Sequence, residues 1–314
     1  MKKLFSVVLA TTLMFAAVGC GSSTTSEAPA ADAGASEEVA TEEAMTIGLV
    51  LPTLTTEFFV TIKETAEAYA AETGLNIVIL DSQDDAVKQS SNVEDLITKK
   101  VDGILLIPTD SDAVATAVED LNAAGIPVIT LDRSANGGEV LSHIASDNVA
   151  GGVMAGEYIV ELLGGAGKVV ELEGVPGASA TRERGEGFNI AMDAAGIEVV
   201  ARQTANFSKA EGLTVMENIL QAQPEIDAVF AHNDEMALGA MEAIDAAGRS
   251  GEIKIVGFDA SADAVAAVAE GTMAATVAQK PDLMTTTGIE TLLQAIAGET
   301  VPESVPVELA LVAE

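Results

Sequence analysis

The feature that most constrains the fold of this chain is a segment at residues 226–248, IDAVFAHNDEMALGAMEAIDAAG. Its apolar run stops at Asn233, Asp234 can cap the helical pattern that follows, and Gly248 can end it. The apolar stripe of that helix is formed by Ala237, Met241 and Ile244. The segment therefore predicts a strand that hands over to a helix in a parallel α/β sheet, with Asn233 at the carboxyl edge, where polar side chains can meet a ligand.

A second copy of this unit lies earlier in the chain, at residues 104–133. Its first apolar run leads to a capping carboxylate, Asp110, and its last strand ends at Asp132 as the strand after Gly248 ends at Asp259. Any doubly wound protein repeats strand, helix and glycine, so chance is the alternative. Because AAG and the terminal Asp recur in the same order, we favour true pseudo-symmetry and predict an α/β fold with two similar doubly wound parallel-sheet lobes.

Two series of strand-like runs alternate with helical stretches, as expected for parallel sheets with right-handed crossovers. The runs are 46–51, 76–80, 103–107 and 127–131 in the first series, and 168–172, 197–201, 227–231 and 253–258 in the second. The first passage between lobes is predicted at 143–148, and the apolar stretches 275–279 and 305–312 offer further passages. The predicted N-terminal lobe comprises 45–146 plus 280–308, and the C-terminal lobe 147–279 plus 309–314.

The first 44 residues are predicted to be an address and a tether. Residues 1–19 have two lysines before an apolar run too short to span a bilayer, as in an export signal peptide. Cys20 follows directly and is the only cysteine, so it resembles the lipidated residue of a bacterial lipoprotein, although Ala17 stands where Leu is more usual. The alternative is an ordinary secretory signal with an incidental cysteine. Residues 20–44 are predicted to be a flexible linker.

Composition and motifs argue against several classes of function. The net charge of −34, with no Trp and two Tyr, disfavours nucleic-acid binding. The glycine-rich stretch 164–168 lacks the spacing of a phosphate loop, and His143 and His232 are the only histidines. We interpret His232 as a structural residue and predict no catalytic residues, no cofactor and no metal site.

Polar side chains at the predicted strand edges suit a small neutral polyol, because carboxylates accept hydrogen bonds from hydroxyls while Arg and Asn donate to oxygens. They are Asp132, Arg133, Asn233 and Asp259, and they are joined by Arg184, which lies near the start of the stretch after the turn at residues 174–177. Taken singly, each Asp is more simply a helix cap and each Arg a surface ion pair.

Aromatic residues strengthen the hypothesis. Phe58, Phe59 and Phe207 lie where a loop enters a helix, and a sugar ring has apolar faces that aromatic rings can cover. Phe58 or Phe59 could equally be core residues. Phe188, Phe230 and Phe258 are predicted to be core.

From about residue 45 onward, the chain resembles the bacterial periplasmic ribose-binding proteins, which are type I solute-binding proteins. The segments that carry the resemblance are 57–60 (EFFV), 80–83 (LDSQ), 108–114 (PTDSDAV), 126–133 (IPVITLDR), 143–148 (HIASDN), 182–188 (RERGEGF), 233–240 (NDEMALGA) and 256–259 (VGFD). The resemblance implies that Phe58, Phe59 and Phe207 sandwich the sugar. The residues that it implies to be hydrogen-bonding are Asp132, Arg133, Arg184, Asn233, Asp259 and Gln279. It also implies three hinge crossings, near Ser146, Gln279 and Glu308.

The first loop departs from that pattern. Pro52 and Thr56 stand where the ribose-binding pattern has a Ser and an Asn that face the sugar, so Thr56 becomes the candidate ligand residue there. Because Pro has no side-chain donor and a Thr hydroxyl is shorter than an Asn amide, one edge of the sugar loses partners or gains water.

The resemblance implies a monomeric, lipid-anchored, extracytoplasmic protein that delivers D-ribose to the permease of an ABC importer. Another pentose or a hexose such as allose or galactose is the alternative ligand. A chemoreceptor is a further partner that the sequence does not separate from transport. An enzyme on a similar two-lobed scaffold would need a nucleotide loop, a metal site or a catalytic base. The similarity to transcription regulators of the same fold is weaker, because those carry a DNA-binding segment and no export signal.

Overall fold

The computed structural model describes residues 45–313. The predicted signal peptide, the linker and Cys20 lie outside these residues. In chain order the elements are β1 (Thr46–Leu51), α1 (Glu57–Thr73), β2 (Asn76–Asp81), α2 (Ala86–Lys99), β3 (Gly103–Leu106), α3 (Ala115–Ala123), β4 (Val128–Leu131), β5 (Ser142–Ser146), α4 (Asn148–Leu162), β6 (Lys168–Glu173), α5 (Ser179–Ala195), β7 (Glu198–Thr204), α6 (Lys209–Ala222), β8 (Ala228–Ala231), α7 (Asp234–Ala246), β9 (Lys254–Asp259), α8 (Ala262–Ala269), β10 (Ala275–Ala278), α9 (Pro281–Ile296), β11 (Ser304–Val307) and β12 (Ala310–Ala313).

The strands form two six-stranded sheets with the same pattern of connections. The first has the order β11-β5-β4-β3-β1-β2, and the second has the order β12-β10-β9-β8-β6-β7. In each sheet the second strand in chain order (β2 or β7) lies at one edge with the first strand (β1 or β6) beside it, and the later strands follow on the other side of the first. The prediction of two similar α/β lobes is therefore confirmed, and we call them the first and second lobe.

The apolar stretch 305–312, which the sequence analysis gives as a further passage between the lobes, forms two strands. It splits into β11, which pairs in parallel with β5 of the first lobe, and β12, which pairs antiparallel with β10 of the second. The chain thus passes between the lobes three times, after β5, after β10 and between β11 and β12. Strand β12 lies antiparallel at the edge of the second sheet. The expectation of a purely parallel sheet is therefore not met in the second lobe.

Short polar side chains start many of the helices. Asp85 accepts hydrogen bonds from the backbone N–H groups of Val87 and Lys88, and Asp147 accepts one from that of Ala150. At α7 the predicted cap is wrong by one residue. Asn233, not Asp234, is the N-cap, because its side-chain oxygen accepts from the N–H of Met236 at 3.0 Å.

Both lobes pack apolar side chains against each face of their sheet. In the second lobe, helices α4 and α5 pack so closely that a Cβ on Gly152 or Gly187 would collide with the backbone of the other helix. In α7, Ala237 and Ile244 are buried as predicted, whereas Met241 is only partly buried. Within residues 45–313, no helix is long and apolar enough to cross a membrane.

Candidate functional site

The carboxyl ends of the two sheets border a cavity of about 640 Å³ between the lobes. All ten residues predicted to contact a ligand line this cavity: Thr56, Phe58, Phe59, Asp132, Arg133, Arg184, Phe207, Asn233, Asp259 and Gln279. Apart from Arg184, which lies in the second turn of α5, each of them ends or follows a strand or lies at the start of a helix, so a sequence pattern of strand, polar edge and helix could find them. The volume lies within the range of roughly 300–1,000 Å³ that is usual for small-molecule sites.

Aromatic rings form two walls of the cavity. Phe58 and Phe59 in the first turn of α1 meet edge to face, with ring centroids 5.2 Å apart. The guanidinium carbon of Arg133 lies 5.2 Å from the centroid of Phe59 and 5.1 Å from that of Phe207, which belongs to the second lobe. Phe58 and Phe59 are 8% and 4% exposed and also pack in the first lobe's core. Each is therefore both a core residue and a residue of the cavity wall.

Asp132 and Arg133 sit in a tight turn directly after β4. The N–H of Arg133 donates to the carbonyl oxygen of Leu131 at 2.5 Å, and Asp132 has a φ of 59°. A left-handed conformation at a residue with a Cβ costs on the order of 1–3 kcal/mol, and such strain concentrates at ligand sites. Asp132 Oδ1 and Arg133 Nε are buried and have no hydrogen-bond partner among the described residues.

The charged side chain of Arg133 is buried. Burial lowers its pKa, whereas the carboxylates of Asp132 and Asp84 act in the opposite direction. Its Nε lies 3.6 Å from Asp132 Oδ2, and its Nη1 donates to the carbonyl oxygen of Pro108 at 3.4 Å. Its remaining N–H groups can therefore serve a ligand oxygen.

Arg184, Asp259 and Gln279 form a second polar group, on the second lobe. Arg184 donates to Asn148 Oδ1 at 2.8 Å and to the carbonyl oxygen of His232 at 2.6 Å, and its Nη1 lies 3.7 Å from Asp259 Oδ1. Gln279 Nε2 donates to the same carboxylate oxygen at 2.9 Å, while its own Oε1 is buried without a partner among the described residues.

Opposing effects act on the pKa of the Asp259 carboxylate. Burial raises its pKa to about 6, although Arg184 and the Gln279 hydrogen bond counteract that rise. Its φ is 115°, again a conformation that residues with a Cβ rarely adopt. Because Oδ2 of Asp259 has no hydrogen-bond partner among the described residues, Asp259 is positioned to accept a hydrogen bond from a ligand hydroxyl.

The amide of Asn233 is partly engaged by the protein. Besides capping α7, its Nδ2 donates to the carbonyl oxygen of Phe207 at 3.3 Å, which ties the second aromatic wall to the α7 edge. The second N–H of that amide is left to face the cavity.

The first loop supplies a hydroxyl and, beside it, residues that the sequence analysis missed. Thr56 Oγ1 is buried without a partner among the described residues, whereas the hydroxyls of Thr53 and Thr55 lie 3.0 Å apart. Burial raises the pKa of Asp84, and the Thr53 hydroxyl and Arg133 oppose that shift. The cavity residues missed by the sequence analysis are Thr53, Thr55, Asp84, Val175, Ala180, Asn206, Ser208, Lys209, Ala210, Glu211 and Glu235. Their positions just after β1, β2, β6 and β7, or in a first helical turn, were the available signal.

Other conspicuous polar residues are structural. His232 is fully buried, and its Nε2 lies 3.0 Å from Glu171 Oε1. Burial lowers the pKa of His232, so the neutral ring donates to the Glu171 carboxylate.

The rings of Phe188, Phe230 and Phe258 are fully buried as predicted, although the guanidinium carbon of Arg184 lies 3.8 Å from the ring centroid of Phe258. Residues 45–313 contain no group of three or more His, Cys, Asp or Glu side chains suited to a metal ion.

Comparison with known proteins gives the family. Residues 47–300 match the model of a periplasmic binding protein domain. The chain belongs to this family. Periplasmic binding proteins act outside the cytoplasm, so the chain is extracytoplasmic, as predicted.

Individual relatives agree with this assignment. The chain is 47% identical to the ribose import binding protein of Bacillus subtilis over 311 residues, which cover 99% of each chain. It is 51% identical to the Escherichia coli ribose import binding protein over 267 residues, covering 85% of this chain and 90% of that one. A Caulobacter myo-inositol binding protein bound to myo-inositol superposes with a TM-score of 0.84 at 33% identity, covering 87% of this chain and 94% of that one. The chain is thus a binding component of an importer and not an enzyme.

Proposed function

We propose that this periplasmic binding protein captures D-ribose between its two lobes and delivers it to the permease of an ABC importer. The observation that carries the proposal is a set of buried polar atoms without partners among the described residues, set between the walls formed by Phe59 and Phe207. These atoms are Asp132 Oδ1, Arg133 Nε, Gln279 Oε1 and Thr56 Oγ1. A buried unpaired polar group costs about 1–3 kcal/mol, so several at one cavity favour a hydroxyl-rich ligand that pairs with them.

The arrangement matches the chemistry of a monosaccharide. Carboxylates, guanidinium groups and amides surround the rim, and aromatic faces cover the ring. Ribose is favoured because the ribose import binding proteins of Bacillus subtilis and Escherichia coli are 47% and 51% identical to this chain. The second candidate is another pentose or a hexose such as allose or galactose. It is favoured by Pro52 and Thr56 in the first loop, which replace a Ser and an Asn of the ribose-type pattern.

We infer that the ligand stabilises a closed form. The backbone N–H of Ser134 in the first lobe donates to Ser179 Oγ of the second at 2.9 Å. The N–H of Ser111 donates across the same gap to the carbonyl oxygen of Gly177 at 3.0 Å. Three chain crossings, at residue 147, at 279–280 and at 308–309, would act as the hinge. A sugar that contacts both lobes shifts the population toward the closed form by its differential affinity.

Location and partners complete the proposal. Residues 1–19 would direct export, lipid on Cys20 would anchor the protein, and residues 20–44 would act as a tether. The closed protein would act as a monomer that the importer permease recognises, and in chemotaxis a chemoreceptor would recognise the same closed form.

A thermal-shift screen of the purified protein against pentoses and hexoses tests the ligand. D-ribose is expected to raise the melting temperature most, because a ligand at a hundred times its Kd adds about 2.7 kcal/mol to the free energy of unfolding. A larger rise in melting temperature with allose or galactose would identify that sugar, and not ribose, as the ligand. No rise with any monosaccharide, together with a rise with a nucleotide or an amino acid, would overturn the proposal.

A further inference from the structure

We propose that Gly174 is a positioning residue that sets how far the Phe207 ring projects into the cleft, and thereby which sugars fit. Gly174 directly follows β6, and Phe207 follows the neighbouring strand β7. The inference rests on the proposed function, since it assigns the width of the same site to a residue that lies behind its aromatic wall.

The contact between the two residues leaves no room for a side chain. A Cβ built on Gly174 would lie no more than 2.5 Å from Cζ, Cε1 and Cε2 of Phe207. These are the outer atoms of the ring, so the ring tip rests directly on the Gly174 backbone. Carbon atoms at optimal separation lie about 3.5–4.0 Å apart, and a methyl group at this position would therefore force the ring to move.

The backbone around the ring is held more firmly than the ring itself. Phe207 has a φ of 59°, its carbonyl oxygen accepts from Asn233 Nδ2, and the N–H of Ser208 donates to the carbonyl oxygen of Ala205 at 2.9 Å. On the other side, the carbonyl oxygen of Gly174 accepts from Thr204 Oγ1 at 2.7 Å. These bonds tie both loops to each other, so the side-chain torsions of Phe207 are the easiest coordinates to change.

The direction of that change leads into the site. With Gly174 behind it, the ring has the guanidinium carbons of Arg133 at 5.1 Å and of Arg184 at 6.0 Å as further neighbours. A displaced ring must move toward these groups and narrow the cleft or tilt away from the sugar face. Either movement weakens sugar binding without removing any group that touches the sugar.

The fold itself tolerates alanine at this position. Gly174 is not among the glycines with positive φ, so its backbone conformation does not require glycine. The need for glycine arises from the neighbouring ring alone, and a substitution there should affect binding more than folding.

A double-mutant cycle tests the inference by calorimetric titration with D-ribose and by melting without sugar. Gly174→Ala should weaken binding at least about tenfold, with little change in melting temperature. Phe207→Leu keeps an apolar wall but lacks the Cε and Cζ atoms, so adding Gly174→Ala to it should change affinity by less than about twofold. Gly167→Ala, at the opposite end of β6, where a Cβ would meet the side chains of Leu163 and Asp227, is the matched control and should bind as the wild type.

An equal loss from Gly174→Ala in both backgrounds would overturn the inference, because the effect would then not act through the ring. Wild-type affinity in Gly174→Ala would overturn it as well. A wild-type protein that binds no monosaccharide would instead refute the proposed function, so the two failures are distinguishable.

Discussion

The guanidinium carbon of Arg133 lies 5.1 Å from the ring centroid of Phe207, although the two residues belong to different lobes. Arg133 follows β4 of the first sheet, and Phe207 lies between β7 and α6 of the second lobe. A cation on one lobe thus faces an aromatic ring on the other. A ligand held at this junction contacts both lobes at once, as capture by closure requires.

Replacing Asp132 with Ala should weaken D-ribose binding by about 1.5–3 kcal/mol, or roughly ten- to hundredfold. The reason is loss of a charged acceptor whose Oδ1 has no partner among the described residues. Calorimetric titration measures the loss, and melting without sugar should change little.

The matched control for Asp132 is Asp85→Ala in the same lobe. Asp85 caps α2, so its loss should lower the free energy of unfolding by about 1 kcal/mol while affinity stays unchanged. Unchanged affinity in Asp132→Ala would show that the site is misplaced.

The pH dependence should run in opposite directions for binding and for folding. The pKa of Asp259 is raised from 3.8 to about 6, so the folded protein holds this proton more tightly than the unfolded chain. Its contribution to stability is therefore greatest at low pH and is lost as pH rises from about 4 through 6. Asp234, whose pKa burial raises to about 8, acts in the same direction over a wider range.

Sugar affinity should instead fall as pH drops from about 7 to about 5, because the ionised carboxylate of Asp259 is the acceptor. In Asp259→Asn, affinity should be lower than that of the wild type at neutral pH, approach it at about pH 5 and depend less on pH, while the unliganded protein should melt higher at neutral pH. Titrations of both proteins across this range measure the difference. An identical pH profile in wild type and variant would contradict a binding role for this carboxylate.

Phe207→Ala should weaken sugar binding by about tenfold and leave the unliganded melting temperature nearly unchanged, because the ring is only partly buried and walls the cavity. Phe188→Ala is the core comparison. It removes a fully buried ring that stacks on Phe230, and should lower the free energy of unfolding by about 3–5 kcal/mol.

Phe258 is a less suitable core comparison than its burial suggests. Because Arg184 stacks on its ring at 3.8 Å, Phe258→Ala should reduce both stability and affinity. Calorimetric titration and melting of the Phe207→Ala, Phe188→Ala and Phe258→Ala variants distinguish a residue of the cavity wall from a core residue. Equal behaviour of Phe207→Ala and Phe188→Ala would contradict the assignment.

Glu57→Ala should speed the release of sugar. Both carboxylate oxygens of Glu57 in the first lobe accept from the N–H of Ala262, at 3.2 and 3.1 Å, at the start of α8 in the second lobe. Loss of such a hydrogen bond costs about 0.5–1.5 kcal/mol, so dissociation should quicken by roughly two- to tenfold in stopped-flow measurements. Glu64→Ala, an exposed change on the same helix, should have no effect, and equal rates in both variants would exclude a contribution of this contact to closure.

Cys20→Ser should abolish membrane anchoring and leave sugar affinity intact, since binding depends on residues after 45. Incorporation of labelled fatty acid into the wild type but not the variant is the expected result. An unlabelled wild type would mean that the leader is an ordinary secretory signal.

Much of this architecture could be predicted because local patterns encode it. Strand β1 has its predicted bounds, and Asp132 and Asp259 end equivalent strands because a buried parallel strand reads as an unbroken apolar run. Sheet order could not be predicted from local patterns, because it depends on tertiary pairing. Residues 305–312 are one apolar stretch in sequence, and only the family resemblance placed a crossing near Glu308, where β11 and β12 separate.

The site was predictable to a similar extent. Residues at strand ends with distinctive chemistry were found, whereas Asp84 and Glu235 were not, because a charged residue in a loop or first helical turn is usually solvated. Capping of α7 was assigned to Asp234, yet that side chain is buried and bonded to Thr276 and to the N–H of Ser261. Nothing in the local sequence distinguishes these two adjacent capping residues.

Titration calorimetry of the purified wild-type protein with D-ribose tests the central claim most directly. The account predicts saturable binding of one sugar per chain, weakened by Asp132→Ala in one lobe and by Asp259→Ala in the other. Absence of binding, or binding that neither substitution weakens, would contradict capture of a sugar between the lobes.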